Sequence, residues 1–276
     1  MNLGFELEFT GITRLEFVHA LEKLFQHEAQ ALVSKTTDDG YIYYKIEDNF
    51  GNIWRVLRDR SIKPQIYTHK VDSECTDVFA ITDLVDEEKL YMVELVSPIL
   101  TSKTLPVLFV IIDLIKSLGG IVNSSCGIHI HVDALPFEDT ISLYKRFVLE
   151  QTDIYNAFKV EKQRLNSYCK PYNINFDLDN ITTIDRFLYE LCYHYDYVEC
   201  VNKPVKECRK LRYHALNFYS LIRHGTIEYR LFNASLDRLE VANIIKWVLN
   251  FTYPHNQNND MRLALESILV TELQND

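Results

Sequence analysis

The sequence predicts an α+β protein: a mostly antiparallel sheet with helices packed on one face. Short runs such as Leu3 to Phe9 and Thr226 to Phe232 alternate apolar and polar residues with the period of a half-buried strand. Longer stretches between them carry apolar residues at helical spacing. Several strand-like runs are also joined by a turn alone, which favours hairpins over parallel crossovers.

Leu3 to Phe9 is the first strand, and 13–33 follows as an amphipathic helix marked by Leu15, Val18, Leu21, Leu24 and Phe25. Tyr41 to Ile46 and Asn52 to Leu57 pair around the turn Asp48-Asn49-Phe50-Gly51. Tyr91 to Val96 is a strand stopped by Pro98, and 102–118 a helix that ends at Gly119-Gly120. Cys126 to Val132 reads as a strand and 138–162 as a long helix. The polar, Asn-rich stretch 163–181 reads as irregular, and 183–196 as helical. Strands at Tyr213 to Leu221 and Gly225 to Phe232, then a helix at 236–252, complete the pattern.

With 276 residues, 47% of them hydrophobic, the chain can bury a full core, and scarce glycine and proline leave little room for linkers; residues 1–276 are expected to form a single domain. The formal charge of −10 argues against a nucleic-acid partner, which needs a basic stripe to displace counterions. The longest apolar run, Leu105 to Ile115, is too short to span a bilayer and contains Asp113. No basic and apolar leader opens the sequence, so a cytoplasmic location is expected. The cysteines at 75, 126, 169, 192, 200 and 208 form no C-x-x-C pair and are expected to be reduced thiols.

The chemistry is carried on strands. Glu6 and Glu8 stand two residues apart, so both point to one face about 6–7 Å apart, while Phe5, Leu7 and Phe9 point to the other. His129 and His131 repeat that geometry, with Ile128, Ile130 and Val132 opposite. Glu228 and Arg230 repeat it again, and Glu94 interrupts the apolar run Tyr91-Met92-Val93-Glu94-Leu95-Val96. Each has an ordinary explanation: a solvated strand face, a hydrogen-bonded histidine pair, a surface ion pair, a solvent-facing glutamate. Taken together, Glu6, Glu8, Glu94, His129 and Glu228 are candidate ligands of a divalent cation, and an oxygen-dominated set favours Mg²⁺ or Mn²⁺ over zinc. Arg230 beside Glu228 would serve as an anion clamp. There is no Walker loop, no H-E-x-x-H and no G-x-S-x-G, so a nucleotide would not be held by a P-loop.

The ordered segments Gly4-Phe5-Glu6-Leu7-Glu8, Glu94-Leu95-Val96-Ser97-Pro98, Gly127-Ile128-His129-Ile130-His131 and Thr226-Ile227-Glu228-Tyr229-Arg230 resemble the motifs of the amidoligase family, which is related to glutamine synthetase and glutamate–cysteine ligase. The resemblance implies a sheet of the glutamine synthetase catalytic-domain type. It also implies an enzyme that uses ATP and Mg²⁺ (or Mn²⁺) to join a small-molecule or peptide carboxylate to an amine through an acyl phosphate. Carried over, Glu6, Glu8, Glu94, His129 and Glu228 hold the metal ions, and Arg230 contacts the transferred phosphate or the substrate carboxylate. Asp59-Arg60-Ser61 resembles a family D-G-S segment near the substrate, with Arg60 in place of the glycine. Arg212 and Asn217 match a segment before the last strand and are candidate cofactor contacts, while Arg164 and Lys170 are candidate substrate contacts. A γ-glutamyl-type product follows only from the family.

Catalysis would rest on neutralising charge as two anions meet. A carboxylate or His131 would take the amine proton. Three other readings stay open: a guanidino-kinase-like phosphotransferase with the same metal cradle, a non-catalytic nucleotide- or metal-binding module, and a metal hydrolase built on His129 and His131. Oligomeric assembly is also open.

Overall fold

The computed structural model describes residues 2–33, 42–65, 88–172, 178, 180–195, 209–255 and 260–275. Tyr41, Cys75, Cys200, Cys208 and residues 173–177 of the Asn-rich stretch lie outside them. The described residues are α+β, with eight strands and eight α-helices. Two compact units are drawn from the chain: residues 4–128, 234–243 and 258–276 in one, and 1–3, 129–233 and 244–257 in the other.

In the first unit the strands hydrogen-bond in the order β2 (Gln30–Val33), β3 (Ile42–Glu47), β4 (Ile53–Leu57), β5 (Val93–Val96), β1 (Leu3–Phe9). Every pair in that run is antiparallel. Alternation fixes the faces of β1: Phe5, Leu7 and Phe9 are buried on one side, and Glu6 and Glu8 project from the other. Helix α1 (Arg14–Phe25) begins at a capping box in which Thr13 and Glu16 satisfy each other's backbone N–H. It buries Phe17, Val18 and Leu21, and Phe17 meets Phe9 edge-on at 5.1 Å.

The helix is shorter than the 13–33 its apolar spacing predicts. It stops because Gln26 takes a left-handed conformation (φ 58°), and Gln30–Val33 then pairs with β3 instead of continuing the helix. Gln26 is exposed, so Gln26→Gly should stabilise the protein by about 0.5–1 kcal/mol: the left-handed penalty of about 1–2 kcal/mol less the extra chain entropy of glycine. A urea midpoint unchanged or lowered by the substitution would contradict this.

Helix α2 (Leu105–Ser117) buries Leu105, Leu108, Phe109, Ile111, Ile112 and Ile115. It ends where Gly119 turns left-handed (φ 86°) and Gly120 donates its N–H to the Ile115 carbonyl at 2.9 Å. A Cβ on Gly120 would sit 2.5 Å from the Ile115 side chain, so a glycine is required there. A last helix, Asp260–Asn275, lies beyond the predicted elements and packs against α2.

In the second unit the order is β6 (Gly127–Asp133, of which His129 onward belongs here), β8 (Thr226–Asn233), β7 (Leu216–Asn217). Helices α3 (Phe137–Ala157), α4 (Lys162–Ser167) and α5 (Ile184–Tyr195) precede β7. The long helix expected over 138–162 ends at Ala157, and helix α4 starts at Lys162 and runs into the stretch expected to be irregular. The strand expected over 213–221 is instead a 3-10 turn (Arg209–Tyr213), the two-residue β7 and helix α6 (Ser220–His224). From helix α7 (Arg238–Thr252), Trp247 stacks on Phe251 at 4.7 Å and meets the edges of Phe158 and Phe232. The final helix, Asp260–Asn275, is α8. No helix among the described residues is long and apolar enough to cross a membrane.

Candidate active site

The first unit supplies three carboxylates. Antiparallel register sets Glu8 directly opposite Glu94, so the two side chains share a face, and a carboxylate oxygen of each lies within 4.8 Å of the other. Glu8 is buried at 2% exposure and accepts the Gly127 N–H at 2.6 Å. Glu6 and Glu94 are half-buried. Two carboxylates this close on one face repel each other, and a shared proton, a basic group or a cation can offset that repulsion. Asp59 and Ser61 lie just past β4, whose Leu57 pairs with Glu94. There the Ser61 backbone N–H and hydroxyl both donate to Asp59 Oδ1 at 2.6 Å, so this pair forms a tight turn.

The second unit is centred on Glu228, buried at 4% exposure. Register sets Asn217 opposite it, and Asn217 Nδ2 donates to Glu228 Oε2 at 2.6 Å. The Arg230 guanidinium, one side-chain repeat along the strand, donates to Glu228 Oε1. His129 Nδ1 lies 3.7 Å from Glu228 Oε1, and His131 Nε2 lies 4.0 Å from Oε2. Both gaps are too long for a hydrogen bond. They suit donors that share a cation, since ligand atoms about 2.0–2.2 Å from one ion stand about 3–4 Å from each other. Asn217 Oδ1 is buried and has no donor among the described residues, an open acceptor next to the carboxylate.

Arg164 on α4 is buried at 1% exposure, and its Nη2 donates to the Arg230 carbonyl at 2.9 Å. That bond ties α4 to the strand carrying Glu228. Arg164 and Arg230 also stand near Cys169. Burial pushes the Cys169 thiol up to about 11, and the two guanidinium charges offset only part of that rise.

Two further sequence candidates are exposed. Arg212 is exposed and lies over the Tyr213 ring at 4.7 Å, with no contact to Glu228, His129 or His131 among the described residues. Lys170 is exposed, and its backbone N–H donates to the Tyr213 carbonyl at 2.7 Å. Sequence reasoning passed over three contributors: the Gly127 N–H on Glu8, and Thr226 and Ser220, which contact His131. Thr226 stands two residues before Glu228 on its strand, so the alternation of β8 already put it on the same face.

The chain belongs to the family described as "Putative amidoligase enzyme", whose model matches residues 1–252. The family description is that of an amide-bond-forming ligase. No curated protein and no solved structure matches the chain.

Proposed function

We propose that this amidoligase-family chain is a carboxylate–amine ligase that uses ATP and Mg²⁺ (or Mn²⁺), on a sheet of the glutamine synthetase catalytic type. The setting of Glu228 supports this most strongly. A buried carboxylate has an imidazole nitrogen 3.7 Å from one oxygen and another 4.0 Å from the second, with Arg230 donating to the oxygen that faces His129. Glu6, Glu8, Glu94, His129 and Glu228 would hold the cations that accompany ATP, and their oxygen-rich donor set fits Mg²⁺ or Mn²⁺. Bound cations would draw charge from the phosphate oxygens and so ease the approach of a second anion.

In the reaction, a substrate carboxylate oxygen attacks the γ-phosphorus, the bond to the β–γ bridging oxygen breaks, and ADP leaves. The amine then attacks the acyl carbon, phosphate departs, and the amine proton passes to a base. Arg230 stays charged at any working pH and offers a planar donor fork to the transferred phosphate or the substrate carboxylate. Glu228 orients that fork, and Asn217 holds Glu228. Asp59, Ser61 and Arg164 would contact the substrate in this scheme.

A screen of amines and amino acids for stimulated ADP release, with mass spectrometry of the product, tests the reading. An amide product with release of phosphate is expected. A stable phosphorylated product formed without an amine would make the protein a phosphotransferase instead. Arg230→Ala should lower turnover about a hundredfold while weakening Mg²⁺–ATP binding only modestly, as measured by calorimetry. Equal turnover would remove Arg230 from the phosphate step.

A further inference from the structure

A second cavity lies in the unit that carries Glu228, and it is reached from the other face of the same strand. Alternation along β8 turns Tyr229 away from Glu228 and Arg230. The Tyr229 hydroxyl meets Thr252 Oγ1 at 2.8 Å, at the end of α7. Thr252 in turn lines a cavity of about 450 Å³ between α3 and residues 252–255. Small-molecule sites span about 300–1,000 Å³, so this volume suits a compact ligand. Among the described residues, none of those around Glu228 lines it.

Helix α3 gives the cavity one stripe of its surface: Asp139, Ser142, Leu143 and Arg146, at the spacing of a single helix face. Opposite charges stand at the two ends of the stripe, about 10.5 Å apart along the axis. No ion pair among the described residues takes up either charge. Arg146 is half-buried and fixed: its guanidinium lies over the Phe251 ring at 4.6 Å and donates to the Phe251 carbonyl. A guanidinium has five N–H donors, and Nε meets no acceptor among the described residues. Asp139 is exposed at the other end. Leu135, Leu143 and Pro254 add apolar surface to the walls.

The geometry points to a second ligand site that takes a small zwitterion, an amino acid with an apolar side chain or a dipeptide of such residues. The carboxylate meets the Arg146 fork, the ammonium turns toward Asp139, and the side chain packs on Leu135, Leu143 and Pro254. Asp139 opposes a purely anionic ligand such as phosphate, and Arg146 opposes a bare amine. The two charges carry unequal weight. Arg146 is half-buried and offers a charge-assisted fork, whereas Asp139 acts through water. This site does not depend on the ligase reading, because Glu228 and its neighbours supply none of its surface.

Calorimetry on the full chain, without nucleotide or divalent cation, tests the site with L-leucine and L-leucyl-L-leucine, which separate an amino acid from a dipeptide. One of the two should bind. 3-Methylbutylamine, which is leucine without its carboxylate, should bind at least tenfold more weakly. 4-Methylpentanoate, which lacks the ammonium, should bind about two- to fivefold more weakly. Asp139→Asn should remove the difference between the zwitterion and 4-methylpentanoate. Arg146→Met should weaken zwitterion binding at least tenfold. Arg146 also ties α3 to Phe251, so Ser142→Trp serves as an independent variant: it starts from an exposed position, fills the cavity and should abolish binding with an unchanged melting temperature. Glu228→Ala should bind as the wild type does. The proposal is overturned if neither zwitterion binds at millimolar concentration, or if the single-charge analogues bind equally well. Binding that survives Ser142→Trp, or that is lost in Glu228→Ala, would place the ligand elsewhere and overturn it too.

Discussion

Glu228→Ala should reduce amine-stimulated ADP release by at least a hundredfold and leave the melting temperature within a few degrees of wild type. The carboxylate stands between two imidazoles, an amide and a guanidinium, so its removal strips a proposed cation ligand and frees Arg230 from its orienting partner at once. Losing an electrostatic contact of this kind typically costs about 10²–10³ in turnover. Glu228→Gln keeps the shape and one oxygen, so it should preserve the fold while still failing to hold the cation tightly. Calorimetric titration of Mn²⁺ into each variant separates the two effects. A fully active Glu228→Ala protein would end the metal proposal.

Trp54→Ala is expected to have the largest effect on stability, a loss of about 3–5 kcal/mol. Trp54 is fully buried on β4 and stacks on Phe25 of α1 at 6.4 Å. Its indole N–H also donates to Asp48 Oδ2 at 2.9 Å. Burial raises the Asp48 pKa, but donors from Trp54, Asn52 and Phe50 outweigh it and hold the carboxyl below the usual aspartate range. Removing the indole therefore opens a cavity and weakens the turn that joins β3 to β4. Equilibrium urea denaturation gives the magnitude. A loss below 1 kcal/mol would mean that α1 does not depend on this ring.

Much of this was legible because strand faces are written in period two. Phe5, Leu7 and Phe9 against Glu6 and Glu8, and Ile227 and Tyr229 against Glu228 and Arg230, have their sides fixed by alternation alone. What escaped the sequence depends on distant partners. Gln30–Val33 continues a helical pattern, yet its hydrogen bonds go to Ile42–Lys45. Ser220–His224 sits between two strand-like runs, and the turn of helix it forms is too short to show a period. Arg164 lies in a polar stretch that reads as irregular, yet it sits buried on a short helix and donates to a main-chain carbonyl on β8. Arg212 and Asn217 stand in one segment. Strand register sets Asn217 beside Glu228, whereas Arg212 lies over the neighbouring Tyr213 ring.

Cys126, Cys169 and Cys192 are all buried and form no disulfide. With its pKa near 11, Cys169 carries only about one thiolate in ten thousand molecules at neutral pH. Alkylating reagents meet neither an accessible sulfur nor an ionised one there while the second unit stays closed. Chemical labelling at this position thus becomes a clock for opening: it records how often helix α4 lets go of the strand it is tied to.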